Sequence, residues 1–260
     1  MDQLGVRFKL KLSAWLSSSQ FGRFLLFLLG KRPMDRIKRI SHNGLDFVLS
    51  APNTLTAYRA SSFSFKEPDT LAWLDSMHSC SIFWDIGANV GIYSIYSALR
   101  SGSRVFSFEP SVFNLELLAR NIYLNNLHSQ IVILPFSLSN KLGPSSFNMS
   151  STEWGGALST FGESFDHHGN EFKSSFRYQT LGLSIDQAVD LLKIPAPDYI
   201  KLDVDGLEHL ILSGAEIVLK NVKSLLVEID DDFSTQLTQS CTYLQNAGLT
   251  VVNKFYLGSK

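Results

Sequence analysis

The sequence predicts an α/β fold: a mostly parallel central sheet with helices on both faces. Three observations predict it. From residue 82 onward, short apolar runs alternate with helical stretches of roughly 10–15 residues, the pattern of βαβ units. The runs are near-continuously apolar, as strands covered on both faces should be. The first two end at Gly87 and at Glu109-Pro110, breaks that suit strand-to-helix turns.

The chain has 260 residues, 45% of them hydrophobic, enough for one large domain or two small ones. Gly 17 and Pro 8 are ordinary counts and exclude collagen-like and low-complexity classes. Two cysteines exclude a disulfide scaffold and a cysteine zinc cluster, and suit reduced thiols in the cytoplasm. The net charge of −1 is uneven. Residues 1–40 hold nine Lys/Arg against Asp2 and Asp35, so this segment carries +7 and the remainder −8. The expected organisation is a basic, partly apolar helical arm over 1–40 and one domain over 41–260, with its core at 82–255.

The arm contains FLLFLL at 24–29, too short to span a membrane. No small-residue cleavage site follows it. Residues 1–33 read either as an amphipathic helix on a membrane surface, through Trp15, Phe21, Phe24 and Phe27, or as an extension packed on the domain or on a second subunit. Residues 35–65 read as short strands or loops, with turns at Asn43-Gly44 and Pro52-Asn53. A short helix over 67–77 is opened by Pro68.

The core strands are expected at 82–86, 104–108, 131–136, 199–204, 224–229 and 250–255. Helices are expected at 91–99, 112–124, 207–220 and 234–247. Leu115, Leu118 and Ile122 mark the buried face of the second. Asn125-Asn126 should end it. The long stretch 139–197 is rich in Ser, Gly and Phe, and too long for an ordinary loop. It should hold extra strands, a helix at 185–192 and a substrate lid.

Three sites carry chemistry. Asp85-Ile86-Gly87-Ala88-Asn89-Val90-Gly91 follows a strand and opens a helix. The dinucleotide fingerprint G-x-G-x-x-G fails here, because Asn89 and Ile92 stand at the second and third glycine positions. Asp85 would repel a pyrophosphate and suits a cationic ligand. Glu109, ending the second strand, can accept both hydroxyls of a ribose. At the third site, Lys201, Asp203, Asp205 and Glu208 converge where a strand gives way to a helix. If 201–205 is extended, alternation puts Lys201, Asp203 and Asp205 on one side. Carboxylates this close should raise at least one pKa, as a catalytic base requires.

These three sites together resemble the FkbM-type family of S-adenosylmethionine-dependent methyltransferases. The matching pieces are FWDIGANVGIYS (83–94), FSFEPSVFNLELLARNIYLNN (106–126) and YIKLDVDGLEHLILSGA (199–215). The resemblance runs from about 83 to 255. It implies a Rossmann-like class I methyltransferase fold and methylation of a hydroxyl oxygen on a sugar, glycan or natural product. It implies that Asp85, Gly87, Ala88, Asn89 and Gly91 cradle the methionine half of S-adenosylmethionine. Glu109 and Pro110 would meet its ribose, and Ser137 would sit near its adenine. Asp203 is the expected base, with Asp205 or Glu208 shaping its pKa and Lys201 in the same catalytic set; a divalent cation shared by two carboxylates is the other route to an activated alcohol. Asp205 stands where the family usually has Glu. A seventh strand must be absent, come from the insertion, or come from another subunit.

Weaker candidates remain. Glu228 could face the substrate, and Asp232 could cap a helix. His167-His168 are too adjacent for a zinc site but could serve as a base on the lid. His209 reads as a satisfied histidine, and Trp154 could stack on a sugar. Nucleic acid is not expected, because the basic residues cluster in the arm. The rival classes are a nucleotide-cofactor oxidoreductase and a non-catalytic scaffold on the same fold.

Overall fold

The computed structural model describes residue 15, residues 18–24 and residues 35–255. Within the arm, residues 20–24 are helical, and Trp15, Phe21 and Phe24 are exposed. Phe27 and most of the run at 24–29 lie outside the described residues. No helix among the described residues is long and apolar enough to cross a membrane.

A hairpin begins in the last residues of the segment read as the arm and runs on into the domain. Its strands β1 (Ile37–His42) and β2 (Leu45–Ser50) pair antiparallel. Asn43 and Gly44 have φ of 46° and 78°, the left-handed pair that a two-residue hairpin turn needs. Helix α1 (Thr54–Lys66) follows, where the sequence reading expected strands or loops. The supposed turn residue Asn53 is its N-cap, in a capping box with Thr56. Ser, Thr and aromatic residues weaken helix periodicity here, and the cap decides the conformation. Helix α2 (Pro68–Asp75) starts on its proline.

The core then alternates β3 (Ile82–Ile86), α3 (Ile92–Ser101), β4 (Arg104–Phe108), α4 (Val112–Leu124) and β5 (Ile131–Leu134). Asn125 caps the end of α4. After the insertion come β10 (Tyr199–Leu202), α6 (Glu208–Ser213), α7 (Glu216–Leu219), β11 (Ser224–Val227) and α8 (Ser234–Asn246). All five core strands are parallel, in the order β11-β10-β3-β4-β5. Alternation sorts their side chains into two cores. Trp84, Phe106, Ile200 and Leu202 face one, and Phe83, Val105, Ile131 and Tyr199 face the other.

The insertion forms a second sheet, β6-β9-β7-β8. Its strands are β6 (Ser137–Leu138), β7 (Gly143–Met149), β8 (Ser159–Phe161) and β9 (Phe176–Leu183), and α5 (Ile185–Leu192) closes it. Phe147, Met149, Phe161 and Leu183 pack into the same core as Trp84 and Ile200. The strand expected at 131–136 therefore splits. Its first part joins the main sheet, and the chain crosses to the second sheet at Ser137.

Two further expectations fail. The helix over 207–220 breaks at Gly214-Ala215. Asp186 of α5 accepts the Ile217 and Val218 amides at 3.0 and 2.9 Å, which starts a new turn there. A Cβ on Gly214 would stand 2.6 Å from Ser184 Cβ, so the close contact with α5 demands glycine. The strand expected at 250–255 is coil. Val251 and Val252 are 81% and 86% exposed, so their apolar run meets no neighbouring strand. Among the described residues, β11 is the sheet edge.

One side chain ties the hairpin to the turn after β3. Buried Asn121 of α4 accepts the Ser50 amide at 2.7 Å and donates to the Val90 carbonyl at 2.8 Å. Asn121→Ala leaves both groups buried and unpaired, at a cost of about 2–4 kcal/mol. The expected outcome is a lower urea midpoint with an unchanged slope. An unchanged midpoint would contradict this tie.

Candidate active site

The turn after β3 and the turn after β10 press directly on each other. Gly87 has φ +84°, and a Cβ there would stand 1.8 Å from the Asp203 carbonyl oxygen. Gly91 has φ +81°, and its Cβ would meet Leu118 Cδ1 at 2.3 Å. Both glycines are thus required by packing within the protein, which the reading of the turn as a ligand cradle did not foresee. Between them Asn89 takes φ 51°. Buried Ala88 donates its amide to the Phe108 carbonyl at 3.0 Å, joining the turn to the end of β4.

Glu109 faces this turn. Its Oε2 accepts the Asn89 amide at 2.7 Å, and its Oε1 accepts the Ser111 amide at 2.8 Å. Burial pushes its pKa up to about 7, against the pull of those amides and Asn114. Asp85, at the end of β3, is 1% exposed. Its Oδ2 accepts the Ser94 hydroxyl at 2.5 Å, while Oδ1 is buried without a partner. Burial raises its pKa, and Lys201 works against the rise.

Lys201 lies beside Asp85 in the register of β10 and β3. It donates to Asp203 Oδ2 at 2.5 Å and sits 5.0 Å from the centre of the Tyr93 ring. Burial disfavours its charge, yet Asp203 and Asp85 hold its pKa above the ordinary lysine value. The pair is asymmetric: the Lys201 side chain is 4% exposed and that of Asp203 is 30%. Burial also opposes ionisation of Asp203, but Lys201 overrides it and keeps the pKa below the carboxylate range. Glu228, after β11, donates its amide to the Leu202 carbonyl at 3.0 Å and so stands beside Asp203.

Asp205 and Glu208 feel the charge of Asp203, which helps raise both, but their hydrogen bonds go elsewhere. The segment 201–205 is not extended to its end: Asp205 has φ 61°, which swings its side chain away. It accepts the Leu158 amide of the insertion at 2.6 Å. Glu208 is buried and holds the turn together. It accepts the Val204 and Gly206 amides at 2.9 and 3.0 Å and the side-chain amide of Gln236. The backbone alternation of a strand does not survive a left-handed residue, so the predicted grouping stops at Asp203.

A narrow cleft of about 40 Å³ opens between the ends of β3 and β4 and the insertion sheet. Gly87, Phe108, Pro110, Phe136, Ser137 and Phe161 are among its walls. Ser137 Oγ is buried there with no partner. The insertion meets the rest of the domain near the strand ends in two places. Gly156 accepts the side-chain amides of Asn89 and Asn114 at 2.8 and 3.0 Å, and Arg59 donates to the Gly155 carbonyl at 2.7 Å. The Trp154 carbonyl is held by Asn53, so the backbone of the Trp-Gly-Gly turn carries these contacts. Farther along, a Cβ on Gly206 would stand 2.7 Å from His167 Cα, and His168 pairs with Asp230. Arg59, Asn53 and Asn114 were not foreseen, because their partners lie 41 to 101 positions away. His209 packs between Phe165 and Phe233 with Nδ1 buried and unpaired, not satisfied as expected. Among the described residues, no three His, Cys, Asp or Glu side chains gather as ligands for a metal.

The model for the methyltransferase FkbM domain matches residues 85–248. Hexuronic acid methyltransferase AglP of Haloferax volcanii is 26% identical over 156 residues, covering 60% of this chain and 59% of that protein. The chain thus spans about three fifths of the length of that relative. Among solved structures, methyltransferase FkbM from Methylobacillus flagellatus KT is 16% identical with a TM-score of 0.46, over 90% of this chain and 54% of that one. Precorrin-6y C5,15-methyltransferase from Geobacter metallireducens GS-15 is 14% identical with a TM-score of 0.41, over 70% of each chain.

Glu208 gives a pH test of the site's frame. Burial pushes its pKa from 4.5 up to about 8, despite three hydrogen bonds that favour the ionised form. A folded-state pKa above the unfolded value means folding takes up a proton. This contribution is full below about pH 4.5 and is lost as pH rises towards 8. Glu208→Gln should reduce the fall of stability across that window, leaving the parts due to the other raised carboxyls, Glu109, Glu228, Asp85 and Asp205. The check is urea unfolding at a series of pH values, and an unchanged slope would contradict the assignment.

Proposed function

The chain belongs to the methyltransferase FkbM domain family, and from that premise we propose that it moves a methyl group from S-adenosylmethionine to a hydroxyl oxygen of a sugar acid or glycan. The observation that carries this reading is the pairing of Glu109 with the Asp85–Gly91 turn beside a part-exposed, ionised Asp203. The hexuronic acid methyltransferase among the relatives supports a sugar acceptor.

The chain's own groups fit the cofactor. Asp85 Oδ1 is a buried oxygen without a partner, whose ionisation burial opposes, so a cation beside it is favoured. Each Glu109 oxygen already accepts one amide and keeps lone-pair capacity for a ribose hydroxyl. Ser137 Oγ offers a donor and acceptor inside an aromatic-walled cleft, suited to the polar edge of a base. When bound, S-adenosylmethionine supplies a methyl group already activated by its sulfonium.

What remains for the protein is alignment and one proton. Alignment of two reactants accounts for roughly 7–11 kcal/mol in well-oriented systems. Asp203 takes the hydroxyl proton: it is ionised, it is partly exposed at the end of β10, and Lys201 fixes its position. A base so placed contributes on the order of 10²–10⁴-fold. Lys201 stays protonated between Asp85 and Asp203 and keeps the cluster from repelling itself.

Two substitutions separate binding from turnover. Glu109→Ala should weaken S-adenosylmethionine affinity by calorimetry, by about tenfold or more for one lost charged hydrogen-bond acceptor. Asp203→Asn should leave that affinity nearly intact and lower methylation of hexuronic acid acceptors by at least about 10²-fold. Equal affinity in the first variant would refute the ribose role, and full turnover in the second would remove Asp203 as the base.

A further inference from the structure

One more carboxyl stands at the ends of the same strands. In the register of β10 and β11, Lys201 and Leu202 lie opposite Leu226 and Val227. The Glu228 amide donates to the Leu202 carbonyl at 3.0 Å, which carries the ladder one step further and sets Glu228 beside Asp203. Side by side at the ends of neighbouring strands, the two carboxyls are placed to share a hydrogen bond. An ionised carboxylate only accepts, so a bond between two carboxyls requires one proton between them. Lys201 already donates to Asp203 Oδ2, and its charge holds Asp203 ionised. The proton therefore belongs to Glu228.

The surrounding charges agree. Lys66, ending α1, and Lys201 both act on Asp203 and favour its ionised form. Glu67, between α1 and α2, adds negative charge near Glu228. The Tyr93 hydroxyl of α3 donates to Glu67 Oε2 at 2.7 Å, and the Lys66 ammonium pairs with Glu67 Oε1. Glu228 is exposed overall, yet loss of water around its carboxyl and the charge of Asp203 raise its pKa. Exposure screens part of that rise and leaves its direction intact.

We propose that Glu228 holds the proton shared with Asp203 and, as a carboxylic acid, is the positioning residue that keeps the Asp203 carboxylate ionised and aimed at the acceptor. The shared proton follows from the two side chains alone. Only the statement of what Asp203 is aimed at rests on the methyltransferase reading above. Deprotonation of Glu228 would set two carboxylates against each other and turn Asp203 away.

The test uses the full-length chain and needs no acceptor. Infrared difference spectra compare the unsubstituted protein with Glu228→Gln at pH 7. The expected result is a carboxylic-acid carbonyl band in the former that the variant lacks. That band should persist through the ordinary carboxyl range and fade only as pH rises towards about 9. Carboxyl ¹³C NMR titration of Asp203 gives the second readout. Glu228→Ala should raise the Asp203 pKa, whereas Glu228→Gln, which keeps a donor, should restore the low value. Absence of the difference band at pH 7, or equal Asp203 titration in all three proteins, would overturn the proposal. Calorimetry with S-adenosylmethionine on the same samples keeps the two claims apart. Failure to bind it would sink the methyltransferase reading and leave the spectra to judge the proton.

Discussion

The contact between Gly87 and the Asp203 carbonyl sets the geometry of everything around it. Two neighbouring parallel strands end together, and the chain leaving one turns hard against the chain leaving the other. Any side chain at 87 would force them apart. Because they touch, Asp85, Lys201 and Asp203 come within range of one another on adjacent strands. Glu109 reaches the same turn from the next strand over. Ligands of open α/β sheets lie outside the carboxyl ends of the strands, and the chain concentrates its buried charges there.

Electrostatics then divides the labour among carboxyls that look alike in sequence. One buried lysine cannot neutralise five of them. It neutralises Asp203 directly and Asp85 partly. Glu109 and Glu208 rely on backbone amides, and burial still pushes both upward. Asp205 spends an oxygen on the insertion. Asp203 therefore differs from the rest: it is both ionised and partly exposed. The insertion contributes backbone rather than side chains to this arrangement, through the Gly155 and Gly156 carbonyls and the Leu158 amide.

Much of this was legible in the order of residues. The apolar runs at 82–86 and 104–108 became strands with those bounds, and the strand-end motifs marked where buried carboxyls gather. Periodicity reported what neighbours on one element share, and it failed where tertiary contacts rule. Thr54–Lys66 became helix through a cap at Asn53, not through a strong apolar stripe. Gly214 broke a helix because α5 crosses there. The run at 250–255 is apolar but finds no partner strand. The grouping of Asp205 with Asp203 assumed extended backbone, and a single left-handed residue undid it. The links from Arg59 and Asn53 to the Trp-Gly-Gly turn join positions about a hundred residues apart, beyond any local pattern.

Whether these walls enclose a sulfonium nucleoside is open to direct weighing. Native mass spectrometry of the intact chain with S-adenosylmethionine, against nicotinamide dinucleotide at equal concentration, tests it without knowledge of the acceptor. One sulfonium nucleoside per chain and no dinucleotide is the predicted spectrum. A chain that carries neither, or that takes the dinucleotide instead, would contradict the account.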